Sequence, residues 1–138
     1  MNSLTLDIPI GLSALAEAQD RAEAWAEAAG VPAQATLRLR LVVEELVANL
    51  VEHAAWPGPP VAARLHLSWQ DGTLRGVLED SAVPFDPLAL REAPSEAPGP
   101  ERIGGLGLAL VRRMTAALVY GPAATPGWNR TDFIIRLG

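Results

Sequence analysis

The chain has no cysteine. Disulfides, thiolate metal sites and a cysteine nucleophile are therefore excluded. It has no lysine either, so all 11 basic residues are arginine. With abundant Ala, Gly and Pro, this reads as a compositional bias of the source genome, and a single Arg position carries little functional weight alone. Only two histidines occur, His53 and His66. They are far apart in sequence and give no metal-ligand spacing. No apolar run is long enough to span a bilayer, and no basic segment leads into one at the start. A cytoplasmic protein with no membrane partner is the expectation. The net charge of -5 argues against direct nucleic-acid binding. Aromatics are sparse, and the four tryptophans are scattered, which suits core or loop packing better than a stacking platform.

What is present is a chain of 138 residues, 49% hydrophobic. That is enough for one domain over residues 1–138 with a real core. Leu4, Leu6 and Ile8 alternate with Thr5 and Asp7, predicting a first strand ended by Pro9 and Gly11. Ser13 is an N-cap candidate with Glu17 in the first turn, and the Ala-rich helix stops at Gly30 and Pro32. A second helix is expected from near Pro32 to about Ala54, with Leu39, Val42, Val43, Leu46 and Leu50 on one face. Val61–Trp69 and Thr73–Glu79 read as strands joined through Asp71-Gly72, a hairpin signal. The stretch from Ala82 to Ile103 has no clear period. A third helix is expected over about Leu106–Ala117, then strands near Leu118–Tyr120 and Asp132–Leu137. There is no internal repeat. The order predicts an α+β fold, a mostly antiparallel sheet with helices on one face.

Three groups of residues stand out. On the second helix, Glu45 and Asn49 lie one turn apart, with Arg38 on the same flank. A carboxamide oxygen suits Mg²⁺ held partly by phosphates, and a carboxylate beside it can accept a hydroxyl proton. A solvated polar face explains the pair as well. His53 is expected at the core edge as a packed histidine. After the hairpin comes Asp80-Ser81-Ala82-Val83-Pro84-Phe85-Asp86-Pro87. Asp80 could accept a hydrogen bond from an exocyclic amine, or simply start a turn. Third, Gly104-Gly105-Leu106-Gly107 opens a helix, where free N–H groups favour an anion. It follows no strand and lacks the Lys-Ser/Thr of a P-loop, so neither phosphate fingerprint applies. Arg102 just before it could reach a phosphate or stand in solvent. Asn129-Arg130-Thr131 matches a glycosylation sequon, which carries little weight without a signal peptide.

Taken in order, Glu-x-x-x-Asn-x-x-x-His, Asp-x-x-x-Pro-Phe-Asp-Pro and Gly-Gly-Leu-Gly-Leu-x-Leu-Val resemble the GHKL ATPase superfamily. More narrowly, the chain resembles anti-sigma factor serine kinases of the RsbW and SpoIIAB type. The resemblance covers nearly the whole chain and includes the closing Gly127-Trp128-Asn129-Arg130 segment. It implies a Bergerat ATP-binding fold, a two-layer sandwich without a phosphoacceptor domain. It further implies ATP and Mg²⁺ as cofactors, Glu45 as general base and Asn49 as the metal ligand. Asp80 would recognise the adenine amine, and Gly105 and Gly107 would close on the phosphates. Arg102 would be a phosphate contact in an ATP lid running from Ala82 to Ile103. Such proteins sequester a sigma factor, phosphorylate a STAS-domain anti-anti-sigma partner and are commonly homodimers. The implied activity is thus an ATP-dependent protein serine/threonine kinase in transcription regulation.

The chain departs from the family at three places. Ala82 stands where a Gly is usual, and Ala116 where the third helix often has Asp. The Thr that supports adenine binding falls at Thr131 or beside it at Asp132. A non-catalytic partner-switching module with weakened nucleotide binding is the alternative expectation.

Overall fold

A computed structural model describes residues 2–11, 13–84 and 109–136. Five strands form one antiparallel sheet in the order β1-β2-β3-β5-β4. They are β1 (Asn2–Pro9), β2 (Ala62–Gln70), β3 (Thr73–Asp80), β4 (Ala117–Pro122) and β5 (Asn129–Arg136). Helices α1 (Ala14–Ala29) and α2 (Ala33–Glu52) lie between β1 and β2 in sequence. Residues 109–114 are also helical. The expected α+β architecture, with helices packed on one sheet face, is what the chain adopts.

Period-two alternation sends Leu6, Ile8, Leu65, Leu67, Leu74, Leu78, Phe133 and Ile135 into one core with the buried helix faces. On α1 the buried residues are Ala14, Ala18, Ala22 and Ala26, a ridge of methyl groups at every fourth position. Such small side chains let the helix lie close to its neighbours. Gly30 ends α1 in the left-handed conformation, φ 83°, which costs a glycine nothing. Asp71 and Gly72 both have positive φ, 53° and 74°, so the β2–β3 connection is the tight hairpin turn the sequence signals.

Some expectations are corrected. Ser13 sits at the N-cap position but makes no side-chain capping bond, because its backbone is already helical, φ -92° and ψ -4°. The described helix near the C-terminal end stops at 114, and Ala117 begins β4. Thr115 Oγ1 bonds back to Val111 O at 3.0 Å, and Ala116 N donates to Ile134 O at 2.7 Å, so the chain there already belongs to the sheet. The last strand starts at Asn129 rather than Asp132, because β3 pairs along its length, Asp80 against Asn129. His53 is not packed. It is exposed at the end of α2, 3.7 Å from Glu52.

The sheet face away from the helices carries side-chain pairs across strands. Arg64 Nε meets Asp7 Oδ1 at 3.0 Å, and His66 lies 3.1 Å from Thr5 Oγ1 and 2.9 Å from Glu79 Oε1. Exposed pairs of this kind add little stability each. No helix among the described residues is long and apolar enough to cross a membrane.

Candidate functional site

The last turns of α2 cross the end of the sheet where β3 finishes and β5 begins. Between them opens a cleft of about 420 Å³, open solvent at its mouth included. Leu46, Asn49, Leu50 and Ala54 come from α2 and the residues after it. Leu78, Asp80, Asn129 and Thr131 come from the inward positions of β3 and β5, with Tyr120 beside them on β4. Ala82 and Val83 close it from the turn after β3. An apolar cleft with a few convergent polar groups is the usual form of a small-molecule site.

Asp80 is 4% exposed. Its Oδ1 accepts from the Ala82 N–H at 3.1 Å and from Asn129 Nδ2 at 2.9 Å. Burial pushes the carboxyl above the ordinary aspartate range, and these two hydrogen bonds pull it part of the way back. Ser81 fixes the turn beyond. Its Oγ donates to Pro60 O at 2.7 Å and accepts from Ala62 N at 3.1 Å. Val83 N donates to Ala55 O at 2.8 Å. The Ala82 methyl is thereby held in the cleft wall, 3% exposed. Ala82 does not have positive φ, so no backbone strain accompanies its methyl.

Asn49 lines the same cleft. Its Nδ2 is buried and has no hydrogen-bond partner among the described residues. An unpaired buried donor costs roughly 1–3 kcal/mol, which packing alone does not account for. The carboxamide oxygen is the kind of hard neutral ligand Mg²⁺ accepts. Among the described residues no group of three or more His, Cys, Asp or Glu could hold a metal by itself. The cleft thus offers a cation one carboxamide oxygen, and a cation held there would bring phosphate and water ligands with it.

Glu45 lies one turn before Asn49 on α2, half-buried and outside the cleft lining. Burial raises its carboxyl, Glu44 and Glu52 raise it further, and His53 opposes them. Arg38, on the same flank, instead reaches Arg136 O at 3.5 Å.

Asn49, Asp80, Ala82 and Thr131 therefore share one cleft, while Glu45 stands beside it. Thr131 points inward at 4% exposure, and Asp132 faces the other way, paired with Arg130 at 2.6 Å. Of the two, Thr131 is the one that lines the cleft. Arg102, Gly105 and Gly107 lie outside the described residues, as does most of the Ala82–Ile103 stretch. Sequence reading missed Asn129, Tyr120 and the apolar lining. The alternation Asn129, Thr131, Phe133, Ile135, extended back from the hydrophobic pair, would have found Asn129 on the inner face.

The family described as Histidine kinase-like ATPase domain matches residues 8–133. The chain belongs to this family, whose fold is an ATP-binding one. In fold the chain is similar to the RsbU and RsbW domains of Rv1364c from Mycobacterium tuberculosis. The TM-score is 0.69 at 16% identity, over 99% of this chain and 33% of that one. The chain thus spans about a third of that relative's length. It is also similar to a chain of the SiaB-SiaC complex from Pseudomonas aeruginosa. There the TM-score is 0.58 at 17% identity, over 97% of this chain and 89% of that one. Comparison with the curated proteins found no match.

Proposed function

We propose that the chain is an ATP- and Mg²⁺-dependent protein serine/threonine kinase of the anti-sigma type. In this reading it sequesters a sigma factor and phosphorylates a STAS-domain anti-anti-sigma partner. The observation that carries the reading is the cleft itself, which Asn49 and Asp80 both line. Asp80 supplies a desolvated acceptor for the adenine amine, with Thr131 beside it. Asn49 supplies the carboxamide oxygen for the cation. Bound there, Mg²⁺ would neutralise charge on the nucleotide phosphates. Phosphoryl transfer asks a protein mainly for positioning and charge stabilisation, so few side chains suffice. Glu45 takes the proton from the acceptor hydroxyl. Its raised carboxyl makes it a better base than an ordinary glutamate, since base strength rises with pKa.

The test is labelled ATP with Mg²⁺ and a STAS protein encoded nearby. Glu45→Gln is expected to lose transfer by at least about a hundredfold while ATP affinity stays within about twofold. In the wild type, transfer should fall as pH drops through the Glu45 pKa, at a higher pH than an unperturbed carboxylate would give. Full transfer by Glu45→Gln would remove Glu45 from the chemistry.

One observation favours a second reading, a partner-switching module that binds without catalysis. The buried Ala82 methyl stands in the cleft wall beside Asp80, where the family usually has Gly. Absence of ATP binding in calorimetry would select this reading over the kinase.

A further inference from the structure

The sheet face away from the helices carries a cluster that the nucleotide reading does not use. Thr5 of β1 stands opposite His66 of β2, and its Oγ1 lies 3.1 Å from His66 Nδ1. His66 Nε2 in turn lies 2.9 Å from Glu79 Oε1 on β3. The Glu79 side chain is only 15% exposed, although it stands on the open face. Arg64 of β2 and Arg130 of β5 lie opposite it on either side. A carboxylate only accepts hydrogen bonds, so Glu79 places the proton of the neutral imidazole on Nε2. Nδ1 is then the acceptor of the ring, and the Thr5 O–H donates to it. Hydroxyl, imidazole and carboxylate joined in that order are the arrangement of an activated nucleophile. Thr5 itself is exposed, so a reagent can reach it.

We propose that Thr5 is an acyl-accepting site, its hydroxyl activated by His66 as general base, and that it takes the acyl group of an activated ester or thioester. Thr5 Oγ1 forms a bond to the carbonyl carbon of the donor. The bond from that carbon to the leaving oxygen or sulfur breaks. The Thr5 proton passes to His66 Nδ1 and from there to the leaving group. Glu79 is a positioning residue, since it touches only the imidazole and fixes which nitrogen carries the proton. Thr5 stands on an open strand face and not in the cleft, so the reaction is one transfer onto the chain. The product ester has no O–H, so acylation removes the Thr5 hydrogen bond to His66. The composition of the chain favours such a site, because no lysine or cysteine competes for the acyl group.

The test uses p-nitrophenyl acetate as the acyl donor and the full chain without nucleotide. Wild type is expected to release a burst of p-nitrophenol of about one equivalent, and mass spectrometry of its peptides should find the acetyl group on Thr5. Thr5→Val, which keeps the shape, should lose the burst, and Thr5→Ser, which keeps the hydroxyl, should retain it. His66→Gln should slow the burst by at least about a hundredfold. Glu79→Gln keeps an acceptor but no longer dictates the tautomer, and should slow it by at least about tenfold. Nitrogen-15 NMR should show the Nε2–H tautomer of His66 in wild type and a mixture in Glu79→Gln, a change that a merely structural bond would not couple to reactivity. His53, exposed at the end of α2 beside Glu52, controls for reaction at an ordinary imidazole, and His53→Gln should leave the burst intact. An acetyl group on another residue of wild type, or no adduct at all, overturns the inference without any variant having to fold. A burst that survives in folded Thr5→Val overturns it as well. None of these outcomes bears on the nucleotide cleft, so the proposed function stands or falls separately.

Discussion

At the scale of single residues the site is a set of polar groups kept at a cost to the fold. Asp80 shows this best. Its carboxyl is raised by burial, so the folded state holds the proton more tightly than the unfolded chain does. The stability it contributes is present below the ordinary aspartate value of 3.8 and is lost as pH rises through the folded pKa. As pH rises, keeping the ionised form buried costs stability. Asp80→Asn keeps an Oδ1 acceptor for both Ala82 N–H and Asn129 Nδ2 and removes the charge. We expect a higher Tm than wild type at pH 7, an advantage that shrinks toward about pH 4, and lost ATP binding. Thermal scans at the two pH values check this, and a lower Tm at neutral pH would show that the charge stabilises the fold.

Among the elements, the β3–β5 pair is the one that sets the floor of the cleft. Gly76 on β3 faces Phe133 on β5, and a Cβ at Gly76 would land on the Phe133 ring. Phe133 is 1% exposed, so the ring has nowhere to swing. Gly76→Ala is expected to cost about 1–3 kcal/mol through overpacking. Urea unfolding should show a lower midpoint with unchanged slope. Gly121, where a Cβ would meet nothing within 4 Å, is the control and should tolerate Ala far better. Helix α1 illustrates how far sequence goes at this scale. Its propensity and stop signal are plain in the alanines and Gly30. The alanine ridge at positions 14, 18, 22 and 26 has meaning only once a neighbour lies against it.

For the molecule as a whole, the cleft exists only because α2 crosses the end of the sheet. A ligand that binds the folded chain alone therefore stabilises all of it, by about 2.7 kcal/mol at a hundredfold excess over Kd. Mg²⁺-ATP should raise Tm, and EDTA should remove part of that rise. Asn49→Ala should fold at least as stably as wild type, since it deletes a buried unpaired donor. It should also lose the Mg²⁺-dependent part of the ATP shift. An EDTA-sensitive shift as large as wild type's would take Asn49 out of the metal site.

The sequence by itself determined most of the elements and singled out Asn49, Asp80 and Thr131, which the fold brings to one cleft. Local signals did this. They are the alternation in β1 to β3, the Asp71-Gly72 turn, the helix spacing of Glu45 and Asn49, and the order of three motifs along the chain. These signals act over a few residues, so they survive without tertiary context. The tertiary structure decided the register of β5 against β3, Asp80 opposite Asn129, which brings the inward-facing Thr131 to the cleft, because strand pairing is a long-range event. It also decided that Asn129, noted in sequence only within a discounted sequon and the closing segment, is a buried partner of Asp80. Its neighbours lie 49 and 47 residues away, and no local pattern encodes a hydrogen bond across that distance.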